Sequence, residues 1–179
     1  MVFLTDRLSL SVNIKPNTMF KKEYLAAYIK WGIIAAIVFC IPMIMFVKSA
    51  EFSSTYLLYI GNVLFLVAIA IYMLSFNKKK GENASTQTMN AAGHIATFFG
   101  IIISCIVAAI VLSVFMPGET ILQDAPAQTG NGDTHGLVFM VFMNAIIGNL
   151  VGGSFVSIIL PYTARKNQTK DKKSEVLNN

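Results

Sequence analysis

Four long stretches of this sequence contain no Asp, Glu, Lys or Arg, and they restrict the possible folds more than any other feature. They span residues 31–47, 55–76, 91–116 and 137–160. A helix needs about 20 apolar residues to cross the hydrocarbon core of a bilayer, with a range of roughly 17–25. Each stretch meets this length, so we predict four transmembrane helices.

The alternative membrane architecture, a β-barrel, is excluded by the same stretches. Barrel strands are segments of about 10 residues with alternating hydrophobicity, and no such alternation occurs here. Backbone groups cannot stay unpaired in lipid, so continuous apolar runs of this length must be helical. Hydrophobic residues make up 55% of the chain and charged residues 13%, which is typical of a membrane protein and not of a soluble domain. We predict an all-α, four-helix membrane bundle.

The distribution of basic residues predicts its orientation. Of the 14 Lys and Arg residues, only Lys48 lies outside the N-terminal segment, the connection between helices two and three, and the C-terminal tail. Because basic residues resist translocation, both termini are expected in the cytoplasm, in an up-down-up-down arrangement. We therefore interpret the net charge of +5 as a topological signal and expect no nucleic-acid partner.

The domain organisation follows from these spans. Residues 1–30 form a cytoplasmic N-terminal segment, in which 1–18 precede a second methionine and are either a loose extension or lie upstream of the true start. Residues 31–162 form the transmembrane domain. Residues 117–136 form its long outer loop, and 163–179 are predicted to be a basic, disordered cytoplasmic tail.

The outer loop and the cysteines offer few candidate ligands. Asp124, Asp133 and His135 could contribute to a cation site, but their spacing matches no known one, and a mobile solvated loop is the preferred interpretation. Cys40 and Cys105 both fall inside predicted spans and are expected to be small packing residues.

Small residues predict where the helices touch. In lipid, helices associate through close backbone approach at small residues and through hydrogen bonds. One face of helix three and one face of helix four are rich in such residues, and we expect these two faces to pack together. They comprise Ala96, Gly100, Ser104 and Ala108 on helix three, and Asn144, Gly148 and Gly152 on helix four, with Asn149, Gly153 and Ser157 one residue round.

Three asparagines lie within the apolar stretches. With a rise of about 1.5 Å per residue, Asn62 and Asn144 should both lie roughly 10 Å from the outer surface. A buried amide requires a hydrogen-bond partner, so we predict a contact between Asn62 and Asn144. We also predict that Asn149 bonds to Ser104 or to a backbone carbonyl.

The same polar layer permits a functional interpretation, namely a cavity for a transported substrate. Glycine and proline near membrane asparagines also occur in the broken helices of transporters. No span carries a carboxylate or a basic side chain, however, and ion-coupled transporters usually have one there. Helix packing is therefore the preferred interpretation of this layer.

His94 is the one titratable group within the spans. A histidine near the membrane surface that donates to a carbonyl or headgroup is the preferred interpretation, and a quinone, haem or proton-relay role is the alternative. Haem usually requires a second axial ligand, and His135 lies on the opposite side of the membrane. No catalytic constellation or phosphate loop is present, so we expect no enzyme activity, cofactor or metal site.

The motifs "KKEY" and "NKKKGENASTQTMNAAGHIATFFGIIIS", together with the single long outer loop, resemble those of small four-helix inner-membrane proteins of Bacteroidetes-type bacteria. The resemblance covers roughly residues 20–175. It implies the topology and a bacterial inner-membrane location, but no activity and no functional residue.

These observations lead to two expectations for function. The first is a non-enzymatic accessory or structural component of the inner membrane, with the lipid bilayer and another membrane protein or a second copy as partners. The alternative is a small transporter or channel subunit that acts as an oligomer. A hydrated interior would favour transport, and a dry interior with an exposed glycine face would favour assembly.

Overall fold

The computed structural model describes residues 22–49, 51–80, 86–116 and 135–177, and almost all of these residues are helical. Helix α1 spans Lys22–Ser49, and a 3₁₀ turn at Phe52–Ser54 leads into α2, Tyr56–Lys80. Helix α3 spans Thr86–Phe115. The fourth span consists of α4 (His135–Met143), a π-helical turn (Asn144–Gly148) and α5 (Asn149–Leu177). No strand occurs in the described ranges, which confirms the all-α prediction.

Four of these segments are long and apolar enough to cross a membrane: Tyr24–Ser49, Phe52–Lys78, Thr86–Phe115 and Gly136–Ala164. The number and order of the spans agree with the sequence prediction. Helix α1 begins nine residues before its uncharged stretch, because charge ends an apolar run without ending a helix. Lys, Glu, Leu and Ala at the start of α1 are all good helix formers.

The end of the chain differs from the prediction. Residues 163–179 were expected to be disordered, but α5 continues to Leu177. A helix that has already formed in the membrane extends at little cost, since each further residue adds a hydrogen bond. Most of the predicted outer loop, including Asp124 and Asp133, lies outside the described residues, and so do residues 1–21 with the proposed extension.

Helices α1 and α2 are antiparallel and meet through aromatic side chains. Five rings form a cluster near the start of α1 and the end of α2. The Tyr24–Phe76, Tyr28–Tyr72 and Trp31–Tyr72 ring centroids are 6.1, 6.3 and 5.7 Å apart. As the residue number rises along α1 it falls along α2, as expected for two helices joined by a short turn.

Helices α1 and α3 run parallel and approach each other at glycine. A β-carbon added at Gly32 would lie 2.9 Å from the Phe99 β-carbon and 3.0 Å from the Gly100 nitrogen. Sixteen residues further along both helices, the Lys48 ammonium lies 5.6 Å from the centre of the Phe115 ring. The offset between the two helices is thus constant along the bundle.

The fourth span packs against both α2 and α3. Gly148 faces Asn62, and Gly152 faces Leu66, so this span is parallel to α2. Gly153 faces Thr97, while Ser157 faces Gly93, which makes it antiparallel to α3. The order around the bundle is therefore α1, α2, fourth span, α3, with alternating helix directions along the chain.

Helix α3 shows how one surface faces lipid and the other faces the bundle. Large apolar residues at every fourth position are 40–66% exposed: Phe98, Ile102, Ile106, Ile110 and Val114. Small residues on the opposite side are buried: Gly93, Ala96, Thr97, Gly100, Ser104 and Ala108. This arrangement places short side chains, polar ones included, against the neighbouring helices.

Candidate functional site

The candidate site is a group of uncharged polar side chains between α2, α3 and the fourth span. We call it the polar seam and define it as Asn62, Thr97, Ser104, Asn144 and Asn149. Thr97, Ser104 and Asn149 have at most 1% of their surface exposed. Short polar residues are rarely this well covered without a hydrogen-bonding or binding role.

The predicted contact between Asn62 and Asn144 is confirmed. The Asn62 Nδ2 atom donates to Asn144 Oδ1 at 3.0 Å. The Asn144 Nδ2 atom donates in turn to the backbone carbonyl of Met140 at 2.9 Å. Because that carbonyl can only accept, it fixes the orientation of both amides. The Asn62 carbonyl oxygen is consequently left buried without a partner among the described residues.

A π-helical turn lies between Asn144 and Asn149. Two residues five apart lie about 140° apart around an ordinary α-helix. The Asn149 backbone N–H bonds to the Asn144 carbonyl, which is the five-residue spacing of a π-turn. Such turns often occur at functional sites.

One of the two alternative bonds predicted for Asn149 is present. Its Nδ2 atom donates to the Ala145 carbonyl at 3.1 Å, so the expected bond to a backbone carbonyl is confirmed. The alternative bond to Ser104 does not form. Asn149 Oδ1 and Ser104 Oγ are both buried without a hydrogen-bond partner in the described part of the chain.

Thr97 belongs to the seam but was not predicted from the sequence. Its hydroxyl is also buried and unpaired within the described ranges, and it lies against Gly153. Thr97 immediately follows Ala96, the first member of the predicted small-residue face. The available signal was its position seven residues before Ser104, which puts both hydroxyls on one face of α3.

The predicted packing of glycines requires a correction. Gly148 and Gly152 face α2 and not α3, and the glycine that meets α3 is Gly153. Gly100 faces the Phe65 ring of α2 and the Gly32 carbonyl of α1. In a ring of four helices, adjacent faces of one helix contact different neighbours. The prediction therefore assigned Gly148 and Gly152 to α3, whereas the next face of the same helix contacts α3.

The remaining candidates lie outside the seam. His94 is half-buried and follows Gly93, which packs against Ser157 and Met73. Cys40 is buried and Cys105 half-buried, and neither forms a disulfide. Among the described residues there is no group of three or more His, Cys, Asp or Glu that could hold a metal ion.

The chemistry available to the seam is hydrogen bonding. Its side chains are amides and hydroxyls, which exchange no protons near neutral pH and form no covalent intermediates without an activating partner. Such groups can bind and orient a small polar molecule or water. Its four buried oxygens without a partner among the described residues are costly in a membrane interior unless something bonds to them, because lipid offers no partner.

The comparison with protein families gives a match for the first three spans. A family model described as the integral membrane protein TerC family matches residues 16–114. This range takes in α1, α2 and all but the last residue of α3, and the fourth span lies beyond it. No curated protein and no solved structure matches the chain.

Proposed function

Because the chain belongs to the TerC family of integral membrane proteins, its activity takes place in a bilayer, and we propose that it is a subunit of a transporter or channel for small polar solutes. The observation that carries this proposal is the set of buried, unpaired oxygens in the polar seam. They belong to Asn62, Thr97, Ser104 and Asn149, on three different helices.

Unpaired oxygens on several helices favour solute binding over simple helix packing. A hydrogen bond that only fixes helix register needs both partners within the protein. Here the amide nitrogens have protein partners, while two carbonyl oxygens and two hydroxyls do not. Leaving a buried polar group unsatisfied costs about 1–3 kcal/mol. A bound solute or water would recover that cost.

The glycines support the same proposal. An assembly face would expose glycine to lipid, where another helix could approach. Instead, Gly32, Gly61, Gly93, Gly100, Gly148, Gly152 and Gly153 each face another part of the same chain. Their role is to bring this chain's own helices together around the seam.

The second candidate is a non-enzymatic accessory or structural component. It is favoured by the near-complete burial of Thr97, Ser104 and Asn149, since a conducting pathway must open to water. Four spans are also few for enclosing a pathway, so the transport proposal includes assembly into an oligomer through surfaces other than these glycines. We further propose that it lies in a bacterial inner membrane with both termini in the cytoplasm, and the basic termini support that orientation.

Thiol accessibility distinguishes the two candidates. The starting protein carries Cys40→Ala and Cys105→Ala, and one new cysteine is added at position 104 or 106. Ser104 faces the seam, and Ile106 is 55% exposed on the lipid-facing side of α3. Two residues differ in depth by only about 3 Å, so the pair is matched.

The reagent is a trimethylammonium methanethiosulfonate, and it is applied to membrane vesicles. It reacts only with thiolates that water can reach. We expect labelling of the Ser104→Cys protein and none of the Ile106→Cys protein. If neither is labelled, the interior is dry and the accessory function stands in place of transport.

Solute flux tests transport directly. Proteoliposomes are placed in hyperosmotic glycerol, and re-swelling is followed by light scattering. We expect faster re-swelling than in protein-free liposomes, a loss of this increment with Ser104→Val, and no change with the matched variant Ser113→Val. Ser113 lies on the same helix, but is exposed and bonds to the Ala109 carbonyl of its own helix.

A further inference from the structure

The fourth span continues beyond its apolar part as a charged helix. The segment long and apolar enough to cross a membrane ends at Ala164, and α5 continues to Leu177. We call residues 165–177 the extension. Its charges are mostly basic, with five Lys and Arg residues against two acidic ones.

The helical register of the extension separates the two kinds of charge. At about 100° per residue, its five basic positions fall within one arc of about 160°, and its two acidic positions lie on the opposite side of the helix. The basic arc consists of Arg165, Lys166, Lys170, Lys172 and Lys173, and the acidic side carries Asp171 and Glu175. The backbone therefore gives the extension one basic and one acidic side.

The extension begins at the level of the membrane surface. Asn62 of α2 faces Gly148 of the parallel fourth span, and sixteen residues after each come Lys78 and Ala164. Lys78 is exposed at the end of the apolar part of α2. Tyr162 is 66% exposed, and exposed tyrosine is typical of the boundary between hydrocarbon and headgroups. Lipid headgroups therefore surround the first turn of the extension.

The separation of charge favours an extension that lies along the membrane. On a helix that stands upright on the membrane, the basic and acidic sides are equally far from the headgroups. On a helix that lies with its basic arc towards the membrane, the acidic side is about 10 Å further away, which is one helix diameter. This distance is about one Debye length at 0.1 M salt, so repulsion of the carboxylates by anionic lipid is largely screened.

Pro161 allows the helix to bend before the extension. Proline has no backbone N–H, so the bond to the Ser157 carbonyl, four residues earlier, cannot form. Sharp bends of helices occur mainly at such positions. The extension can thus tilt towards the membrane while the fourth span keeps its contacts inside the bundle.

From this arrangement we propose that the basic arc of the extension docks on anionic lipid headgroups at the same end of the bundle. Lipid phosphates complement ammonium and guanidinium groups, and each basic residue near an anionic surface strengthens binding about fivefold. The membrane is favoured over an acidic protein or a nucleic acid because it already borders the first turn of the extension. The proposal does not depend on the proposed transport function.

The test compares two fluorescent labels on opposite sides of the extension of the full-length protein. Thr169→Cys lies within the basic arc and Asn167→Cys on the acidic side, and each is made in the Cys40→Ala, Cys105→Ala protein and labelled with bimane. Both proteins are reconstituted in phosphatidylcholine and in an equal mixture of phosphatidylcholine and phosphatidylglycerol. A lipid with a nitroxide on its choline headgroup, present in equal amount throughout, quenches any label that approaches the headgroups.

In the anionic mixture we expect quenching at position 169 to exceed that at position 167 about twofold or more, because the two labels are separated by a helix about 10 Å across. In phosphatidylcholine alone the two positions should be quenched equally. Raising the salt from 0.1 M to 1 M shortens the Debye length from about 10 to about 3 Å and should abolish the difference. Equal quenching in the anionic mixture, or a difference that persists in phosphatidylcholine, would overturn the proposal.

Two sets of substitutions connect the effect to the basic arc. Lys166→Gln, Lys170→Gln and Lys173→Gln together should weaken docking about a hundredfold and remove the difference between the labels. The matched control, Asp171→Asn with Glu175→Gln, should preserve it. Loss of the difference in both variants would contradict a role of the basic arc. If the label at position 169 ignores anionic lipid but responds to added polyglutamate, an acidic protein is the partner and the proposal is overturned.

Discussion

The α1–α2 interface and the interface between α3 and the fourth span solve the same packing problem in different ways. The first is filled by large rings: Tyr24, Tyr28, Trp31, Tyr72 and Phe76. The second brings glycine and short polar side chains together. The family match covers the first interface completely but the second only through α3. Packing of large side chains stabilises the α1–α2 interface. Close backbone approach and hydrogen bonding determine the interface of α3 with the fourth span.

The comparison explains why unpaired polar atoms have different meanings on the two sides. The Tyr72 hydroxyl is also buried without a partner among the described residues. It sits at the tip of a ring whose contacts with three other rings already stabilise it. In the seam, the unpaired oxygens belong to short side chains that bury far less apolar surface, so less compensates for their unpaired state.

The largest expected loss of stability follows a change in the aromatic α1–α2 interface. Tyr72→Ala removes a ring that packs on Tyr28, Trp31 and Phe76, and should cost about 3–5 kcal/mol of unfolding free energy. The measurement is circular dichroism during titration of detergent-solubilised protein with sodium dodecyl sulfate. Tyr72→Phe is the control and should be as stable as the natural protein. If it is as damaging as Tyr72→Ala, the hydroxyl and not the ring stabilises this interface.

The next largest loss of stability is expected at the contact of α1 with α3. This contact connects the aromatic α1–α2 interface to the interface of α3 with the fourth span. A β-carbon at Gly32 would meet the Ala96 carbonyl oxygen and the Gly100 nitrogen, both at 3.0 Å. Backbone atoms cannot move aside as a side chain can, so Gly32→Ala should cost about 1–3 kcal/mol in the same titration. Unchanged stability would show that the two backbones do not touch.

A smaller effect should separate two neighbouring glycines of the fourth span. Gly153→Ala forces a new methyl group against Thr97 and should destabilise the protein by about 1 kcal/mol or more. At Gly152 the nearest atom to an added β-carbon is Leu66 Cδ1 at 3.4 Å, an ordinary contact. Gly152→Ala should therefore be neutral or stabilise by up to about 1 kcal/mol, because alanine favours helix. If Gly152→Ala were more destabilising than Gly153→Ala, Gly152 and not Gly153 would make the close contact with a neighbouring helix.

The smallest effect is the coupling between Asn62 and Asn144. Membrane hydrogen bonds contribute about 0.6 kcal/mol on average and up to about 1.7. A double-mutant cycle with Asn62→Leu and Asn144→Leu should give a coupling energy in this range. A value indistinguishable from zero would remove the hydrogen bond as a determinant of helix arrangement.

The fold was predictable because charge placement alone defines membrane spans. Lys48 and Glu51 mark one turn, and the run from Lys78 to Lys80 marks another, so four helices follow without any packing information. The contact between Asn62 and Asn144 was also predictable, since depth in the membrane reduces the choice of partners to the few polar residues at that level.

Assignment of helix faces was not predictable from the same information. Gly152 and Gly153 are adjacent in sequence but face different helices, and the choice depends on the order of spans around the bundle. The π-turn is a second reason, since it shifts all later residues relative to an ideal helix. Gly32 was overlooked although Gly32, Ala36 and Cys40 follow one another at four-residue spacing on α1, and Ala36 and Cys40 are both buried.

The π-turn also makes the length of the fourth span critical. Deleting one residue from Asn144–Gly148 would allow a continuous α-helix, but everything beyond would rotate by about 100° and shift by about 1.5 Å. Gly153 and Ser157 would then leave α3, and larger neighbours would replace them. The extra residue thus determines how far the part of the span after the π-turn is rotated relative to the part before it. This rotation lets the first part bond to Asn62 while the second part packs against Gly93 and Thr97.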